Sequence, residues 1–184
     1  MFSDKPVLVG SRVTLRPVGP EHAEGLFELV SDAEVRRLTG SHGEIDLEAA
    51  RRWCATRADH DDRLDLAIMA GDSYVGEVVL NELDPANLSC NLRIALLGSR
   101  VFGKGYGTEA IELVLGHAFT RTPLHRVSLW VHTFNERARH VYKKAGFVEE
   151  GVLRDALHWD GAWHDSVIMS VLRPEWLAGS RSLQ

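Results

Sequence analysis

Apolar and polar residues alternate from Arg12 to Val18 (RVTLRPV), the period of a strand with one buried face. After Pro20 the period lengthens. Ala23, Leu26, Phe27 and Val30 fall at i, i+3, i+4 and i+7, one stripe of a helix with Pro20 near its first turn. The polar stretch Ser31 to Glu44 predicts a short helix and a loop. Asp46 then caps a helix running to about Ala58, with Leu47, Ala50, Trp53 and Cys54 facing inward. Three strand-like runs follow, Leu64–Ala70, Tyr74–Leu83 and Leu88–Leu97. The turns between them, Gly71-Asp72 and Asp84-Pro85, are short enough for antiparallel pairing.

The second half alternates helix and strand. A glycine-rich run from Arg100 to Thr108 opens a helix with the apolar stripe Ile111, Val114, Leu115 and Ala118, leaving Glu109, Glu112 and Gly116 opposite. Arg126 to His132 reads as a strand. Asn135 can cap a further helix whose stripe is Ala138, Val141, Tyr142 and Ala145 and whose stop is Gly146. Strands Phe147–Trp159 and Trp163–Leu172 hinge on Asp160-Gly161, a strong two-residue hairpin signal. With no internal repeat and no linker, the pattern predicts one α/β domain over residues 1–184. Its sheet is mixed and mostly antiparallel, with local parallel pairing at the centre.

Composition narrows the function. The 184 residues include 21 Lys and Arg against 26 Asp and Glu, a net charge of −5. That balance disfavours nucleic-acid binding, which needs clustered basic surface, and leans toward cationic substrates such as amines. No run is long and apolar enough to span a bilayer, and the first residues lack the pattern of a signal peptide, so a cytoplasmic, membrane-free protein is expected. Cys54 and Cys90 lack metal-site spacing and read as buried thiols.

The sharpest chemistry lies at Arg100-Val101-Phe102-Gly103-Lys104-Gly105-Tyr106-Gly107-Thr108. Glycines at alternate positions let a backbone approach a ligand closely. The loop leads into a helix whose first amide groups lack intrahelical partners and whose dipole favours an anion. Arg100 and Lys104 add positive charge. Together these features describe a phosphate cradle. The spacing is neither a P-loop nor a dinucleotide fingerprint, which would need glycine in place of Thr108.

Arg100-x-x-Gly103-x-Gly105 resembles the (Q/R)xxGx(G/A) pyrophosphate loop of GNAT acetyltransferases. Downstream, NERARHVYKKAGF (Asn135 to Phe147) and the tail EEGVLRDALHWDGAWHDSVIMSVL resemble the RimJ/RimL branch of that superfamily, which includes ribosomal-protein N-terminal acetyltransferases and is similar to spermidine acetyltransferases. The resemblance covers roughly Arg12 to Trp176. It implies an open sheet splayed between the family's fourth and fifth strands. The pantetheine arm of acetyl-CoA would lie in the gap, bonded to backbone around Ile94, Ala95 and Leu96. Asn135 would contact this co-substrate, and Tyr142 would sit near the thioester sulfur. No metal is implied, and a homodimer is left open.

In such a fold the amine attacks the acetyl carbonyl directly, and the protein must manage two protons. Tyr142 can serve the leaving thiolate; periodicity alone would make it a core aromatic. Many relatives place a Glu in the fourth strand two residues before a Gly. Here Asn91 and Arg93 occupy those places, so Asn91 can only hold the amine or a water. Glu77 and Glu82 are candidate relay carboxylates, each otherwise a solvated strand-face residue. His132, His158 and His164 are candidates by intrinsic pKa. Arg93 either faces the acceptor or pairs with an acid on a neighbouring strand, such as Glu77. At pH 7.5 a lysine-type amine is about 0.1% neutral and an α-amine roughly one-third neutral, so a site without a strong base suits a protein or peptide N-terminus. The acidic run Asp59 to Asp65 could instead attract a polyamine, but reads more simply as a solvated loop. A small-amine acetyltransferase and a non-catalytic acetyl-CoA-binding module are the alternatives.

Overall fold

The computed structural model describes residues 1–181. The first strand, β1 (Leu8–Val9), pairs with β2 (Thr14–Pro17), and a single-turn 3-10 helix at Pro20–His22 leads into α1 (Ala23–Ser31). Helices α2 (Ala33–Thr39) and α3 (Leu47–Thr56) follow, capped by the Asp32 and Asp46 carboxylates, which accept from Val35 N and Ala49 N. The meander β3 (Leu64–Ala70), β4 (Ser73–Asp84) and β5 (Ser89–Leu96) comes next. Short α4 (Gly98–Val101), long α5 (Tyr106–Arg121), β6 (Arg126–His132) and α6 (Glu136–Lys144) lead to the hairpin β7 (Val148–Trp159) and β8 (Ala162–Leu172). The last element is α7 (Arg173–Arg181).

One sheet contains all eight strands in the order β1-β2-β3-β4-β5-β6-β8-β7, antiparallel except between β5 and β6. Alternation assigns its faces. Leu66, Ile68, Val78, Leu80 and Leu92 are buried on one face with Ile111, Val114, Leu115 and Ala118 of α5. The other face of β3–β5 carries Asp65, Ala67, Glu77, Val79, Asn91 and Arg93, and α1 packs against β4. Asp160 and Gly161 both take positive φ (50° and 77°), as a type I′ hairpin turn requires.

The feature that matters for function is what β5 and β6 do not do. They pair only at Ser89↔Arg126, Cys90↔Val127 and Asn91↔Ser128. Beyond Asn91 the strands diverge and open a wedge.

Several local expectations change. β1, α4 and α7 were absent from the sequence pattern, and the tail beginning Arg173-Pro174 is helical, anchored by Trp176 against Phe119 (ring centroids 5.9 Å apart). The acidic run is only partly a solvated loop. Asp65 is buried in β3 and takes two bonds from the Arg63 guanidinium, at 2.7 and 2.6 Å. Glu77, read as a solvated face residue, has a buried oxygen without any hydrogen-bond partner. Burial pushes its pKa up to about 7, with Arg93 pulling the other way. Cys54 and Cys90 are buried, and burial raises their thiols to about 11 and about 12, so both remain protonated.

Candidate active site

The wedge is a cleft of about 650 Å³. Ile94, Ala95 and Leu96 of β5 form one wall, where the strand pairs with β4 on one side and has no neighbour on the β6 side to take up its remaining backbone groups. Val101, Phe102, Gly103, Gly105, Tyr106, Gly107 and Thr108 line its upper end, and Asn135 and Tyr142 the α6 side. Asn91 and Arg93 face the same space. The structure therefore gathers most of the predicted site residues around one cavity.

Two of them fall elsewhere. Arg100, at the end of α4, turns its guanidinium onto Glu28 of α1 rather than into the cleft. Lys104 lines a separate hollow on the outer side of the loop, together with Arg12. An anion held by this loop would thus rest first on its backbone. Gly103 and Gly105 have φ of 75° and 81°, and Gly105 is the N-cap of α5 without any side-chain cap. The first amides of α5 are left for a ligand.

Arg12 is one of the residues that the pattern missed. The Glu109 carboxylate accepts from Ser11 N (2.9 Å), Ser11 Oγ (2.6 Å), Arg12 N (2.7 Å) and Val13 N (2.8 Å). Burial is the largest single influence on its pKa and raises it, but these four bonds together outweigh burial and bring it down to about 2. They fasten the β1–β2 turn to the first turn of α5 and bring the Arg12 side chain to 3.5 Å from where a Cβ on Gly105 would stand. Nothing in a one-dimensional pattern links residues 11–13 to residue 109. Arg137, also missed, lines the cleft with its guanidinium 3.5 Å above the Phe102 ring.

An Asp at position 105 would put a carboxylate between the helix terminus and Arg12, cancelling the cation and occupying the approach. Gly105→Asp is expected to weaken acetyl-CoA binding at least tenfold (about 1.4 kcal/mol) by calorimetry. Unchanged affinity in a folded variant would remove this loop from the binding site.

Tyr142 is buried (8% exposed) with its ring 5.9 Å from Phe147, and burial raises its pKa to about 12. It is a core residue and a cleft residue at once, its phenol protonated at neutral pH. Asn91, also buried, donates to Asn81 Oδ1 at 3.1 Å, and Asn135 is engaged as the cap of α6, accepting from Ala138 N at 3.2 Å. His132 lines the cleft, but its Nδ1 lies 2.9 Å from Ser166 Oγ and its ring bonds the Thr39 backbone, while burial lowers its pKa. These bonds tie the end of α2 to the sheet and engage the ring away from the open cleft. His158 lies tilted against Trp163 and His164 meets Phe134 edge-to-face, and neither lines the cleft.

The charged groups that line the cleft follow. Arg93 is exposed in the cleft and forms no close ion pair among the described residues, although its charge acts on the buried Glu77 carboxylate and lowers its pKa. Glu82 is the one acidic residue lining the cleft among the described residues.

Residues 12–148, well over half of the chain, match the model of the acetyltransferase (GNAT) domain. The chain belongs to the GNAT acetyltransferase family. As a member of that family it is an acetyl-CoA-dependent N-acetyltransferase. Among its relatives is a Bacillus subtilis protein called "Putative ribosomal N-acetyltransferase YdaF", 29% identical over 96% of this chain and 98% of its own length. The spermidine N(1)-acetyltransferase of Escherichia coli is 27% identical over 90% of this chain and 89% of its own. The fold matches that of the Vibrio cholerae spermidine N-acetyltransferase solved with CoA and spermine, with a TM-score of 0.83, 24% identity, and coverage of 91% and 99%.

Proposed function

We propose that this GNAT enzyme acetylates the α-amine of a protein or peptide N-terminus. Acetyl-CoA would bind with its pyrophosphate on the amides that open α5 and its pantetheine arm along Ile94–Leu96. Tyr142 would face the leaving sulfur, and Asn91 would orient the amine or its water.

The observation that carries the acceptor class is Arg93. Its guanidinium is exposed in the cleft and, though its charge acts on Glu77, forms no close ion pair among the described residues. A polycation entering there is repelled, whereas a peptide brings a carbonyl or carboxylate beside its amine for the guanidinium to bind. The likeness to a relative named for ribosomal acetylation supports the same reading. The likeness to spermidine acetyltransferases favours polyamine acetylation as the second reading.

The two separate in one comparison. In Arg93→Gly, kcat/KM for a peptide acceptor is expected to fall about tenfold, a loss of about 1.4 kcal/mol. Spermidine turnover should stay level or rise. Equal losses for both acceptors would make Arg93 structural, and a wild type that prefers spermidine would establish the polyamine reading.

A further inference from the structure

Glu82 has three properties that no other carboxylate of the described chain combines. It lines the cleft. It is exposed there and makes no hydrogen bond or ion pair with the described residues. Its backbone is held at φ 51°, left-handed for a residue with a Cβ. Such a conformation is disfavoured for L-residues other than Asn and Asp and persists only where its surroundings enforce it.

The enforcing element is the end of β4. Pairing with β5 is regular from Gly76↔Leu96 to Asn81↔Asn91, then slips before resuming at Asp84↔Ser89. Without the slip, the period of two would send residue 82 after Val78 and Leu80 into the core beneath α5. A bulge re-aims a side chain by breaking that alternation, and this one releases Glu82 from the core face. Asn81 and Asn91, joined by their side chains, sit immediately beside it. Asn91 also forms the last pair between β5 and β6, so Glu82 stands at the root of the wedge. From Leu97 to Asn91 an extended strand runs about 20 Å. An arm anchored at the phosphate loop and lying along β5 therefore delivers its far end toward these residues.

We propose that Glu82 is the catalytic carboxylate that receives the acceptor amine and removes its proton, a role that rests on the acetyltransferase reading above. The acceptor ammonium transfers one proton to the Glu82 carboxylate, directly or through one water. The freed lone pair attacks the thioester carbonyl carbon, the C–N bond forms and the C–S bond breaks. The sulfur leaves with the bonding pair against the Tyr142 hydroxyl. The second proton that the nitrogen sheds ends on that sulfur, and the proton on Glu82 returns to solvent. With Arg137 stacked on Phe102 beside the glycine loop, Glu82 and Arg93 are the anionic and cationic groups of β4 and β5 in the cleft, a match for an acceptor with an amine and a neighbouring carbonyl or carboxylate.

The test measures kcat/KM by thiol release against pH for a peptide acceptor, in the wild type, Glu82→Gln and Glu82→Gly. At pH 7 both variants are expected to lose about thirtyfold, below the usual range for a general base because part of an α-amine already arrives neutral. The deficit should shrink above about pH 8, where the amine no longer needs a base. Acetyl-CoA affinity by calorimetry should be unchanged. Glu82→Gly should melt no lower than wild type, since glycine takes left-handed φ freely, so its lost activity cannot come from unfolding. A Glu82→Gln variant within threefold of wild type at every pH, or a deficit independent of pH, overturns the role. A wild type that acetylates no amine would overturn the acetyltransferase reading and this role with it, whereas an active wild type indifferent to Glu82→Gln overturns the role alone.

Discussion

Tyr142→Phe is expected to lower kcat about a hundredfold, or about 2.7 kcal/mol of transition-state stabilisation, with little change in the KM for acetyl-CoA. The change keeps the ring, its burial and its contact with Phe147, and removes one hydroxyl from the cleft. The pKa says how that hydroxyl acts. Burial places it at about 12, against about 8.5 for a free thiol. Complete transfer of the phenolic proton to a thiolate is therefore uphill by several kcal/mol. In the proposed reaction Tyr142 would work instead as a hydrogen-bond donor to the charge that develops on sulfur. That bond is strongest when the C–S bond is nearly broken, so its loss falls on kcat. Pre-steady-state measurement of thiol release separates this step from product release. A variant with wild-type kcat would reduce Tyr142 to a packing residue.

The largest effect on stability is expected at Gly76. Between Ile68↔Gly76 and Met69↔Tyr74 the β3–β4 register slips by one residue, Val75, and β4 is pushed close to β5. A Cβ on Gly76 would stand 2.2 Å from the Ala95 carbonyl oxygen and 3.0 Å from Leu96 Cα. Both are backbone atoms with no rotamer to yield. Gly76→Ala should cost about 3 kcal/mol, the upper part of the overpacking range, and lower Tm by roughly 10 °C for a chain of this length. Urea unfolding followed by circular dichroism measures it. A Tm within 2 °C of wild type would mean that β5 can shift at Ala95, and that the cleft wall is softer than its strand geometry indicates.

Periodic features were readable and contextual ones were not. Leu64–Ala70 and Arg126–His132 have the bounds that alternation predicts, because one residue in two must be buried whatever the neighbouring element is. Asp46 and Asn135 announced their helices because a cap satisfies a local amide within three residues. The glycine run announced the cleft's upper end because left-handed φ is a property of single residues.

Glu77 and Glu82 were indistinguishable in the sequence. Their different fates follow from α1 packing against β4 in one case and a slipped register in the other. The same blindness hid Glu109, whose partners lie 96 to 98 residues away. It also assigned Arg100 to the phosphate loop, when its nearest opposite charge is carried by α1. Identity of residue type predicts what a side chain can do, and only the packed chain decides which neighbour it does it with.

Most open sheets end at outer edges, whose unpaired amides invite other chains and must be shielded. This sheet has two further edges inside the molecule, where β5 and β6 part after Asn91 and Ser128. Because the strands remain joined at one end, the space between them tapers to nothing there. A neighbouring protein strand cannot run through it as it could along an open border. What the taper admits is a single slender chain with amide groups of its own, entering from the wide end and stopping where the strands meet. The protein thus guards these edges by shape rather than by charge or proline, and the same shape fixes how far a guest can travel.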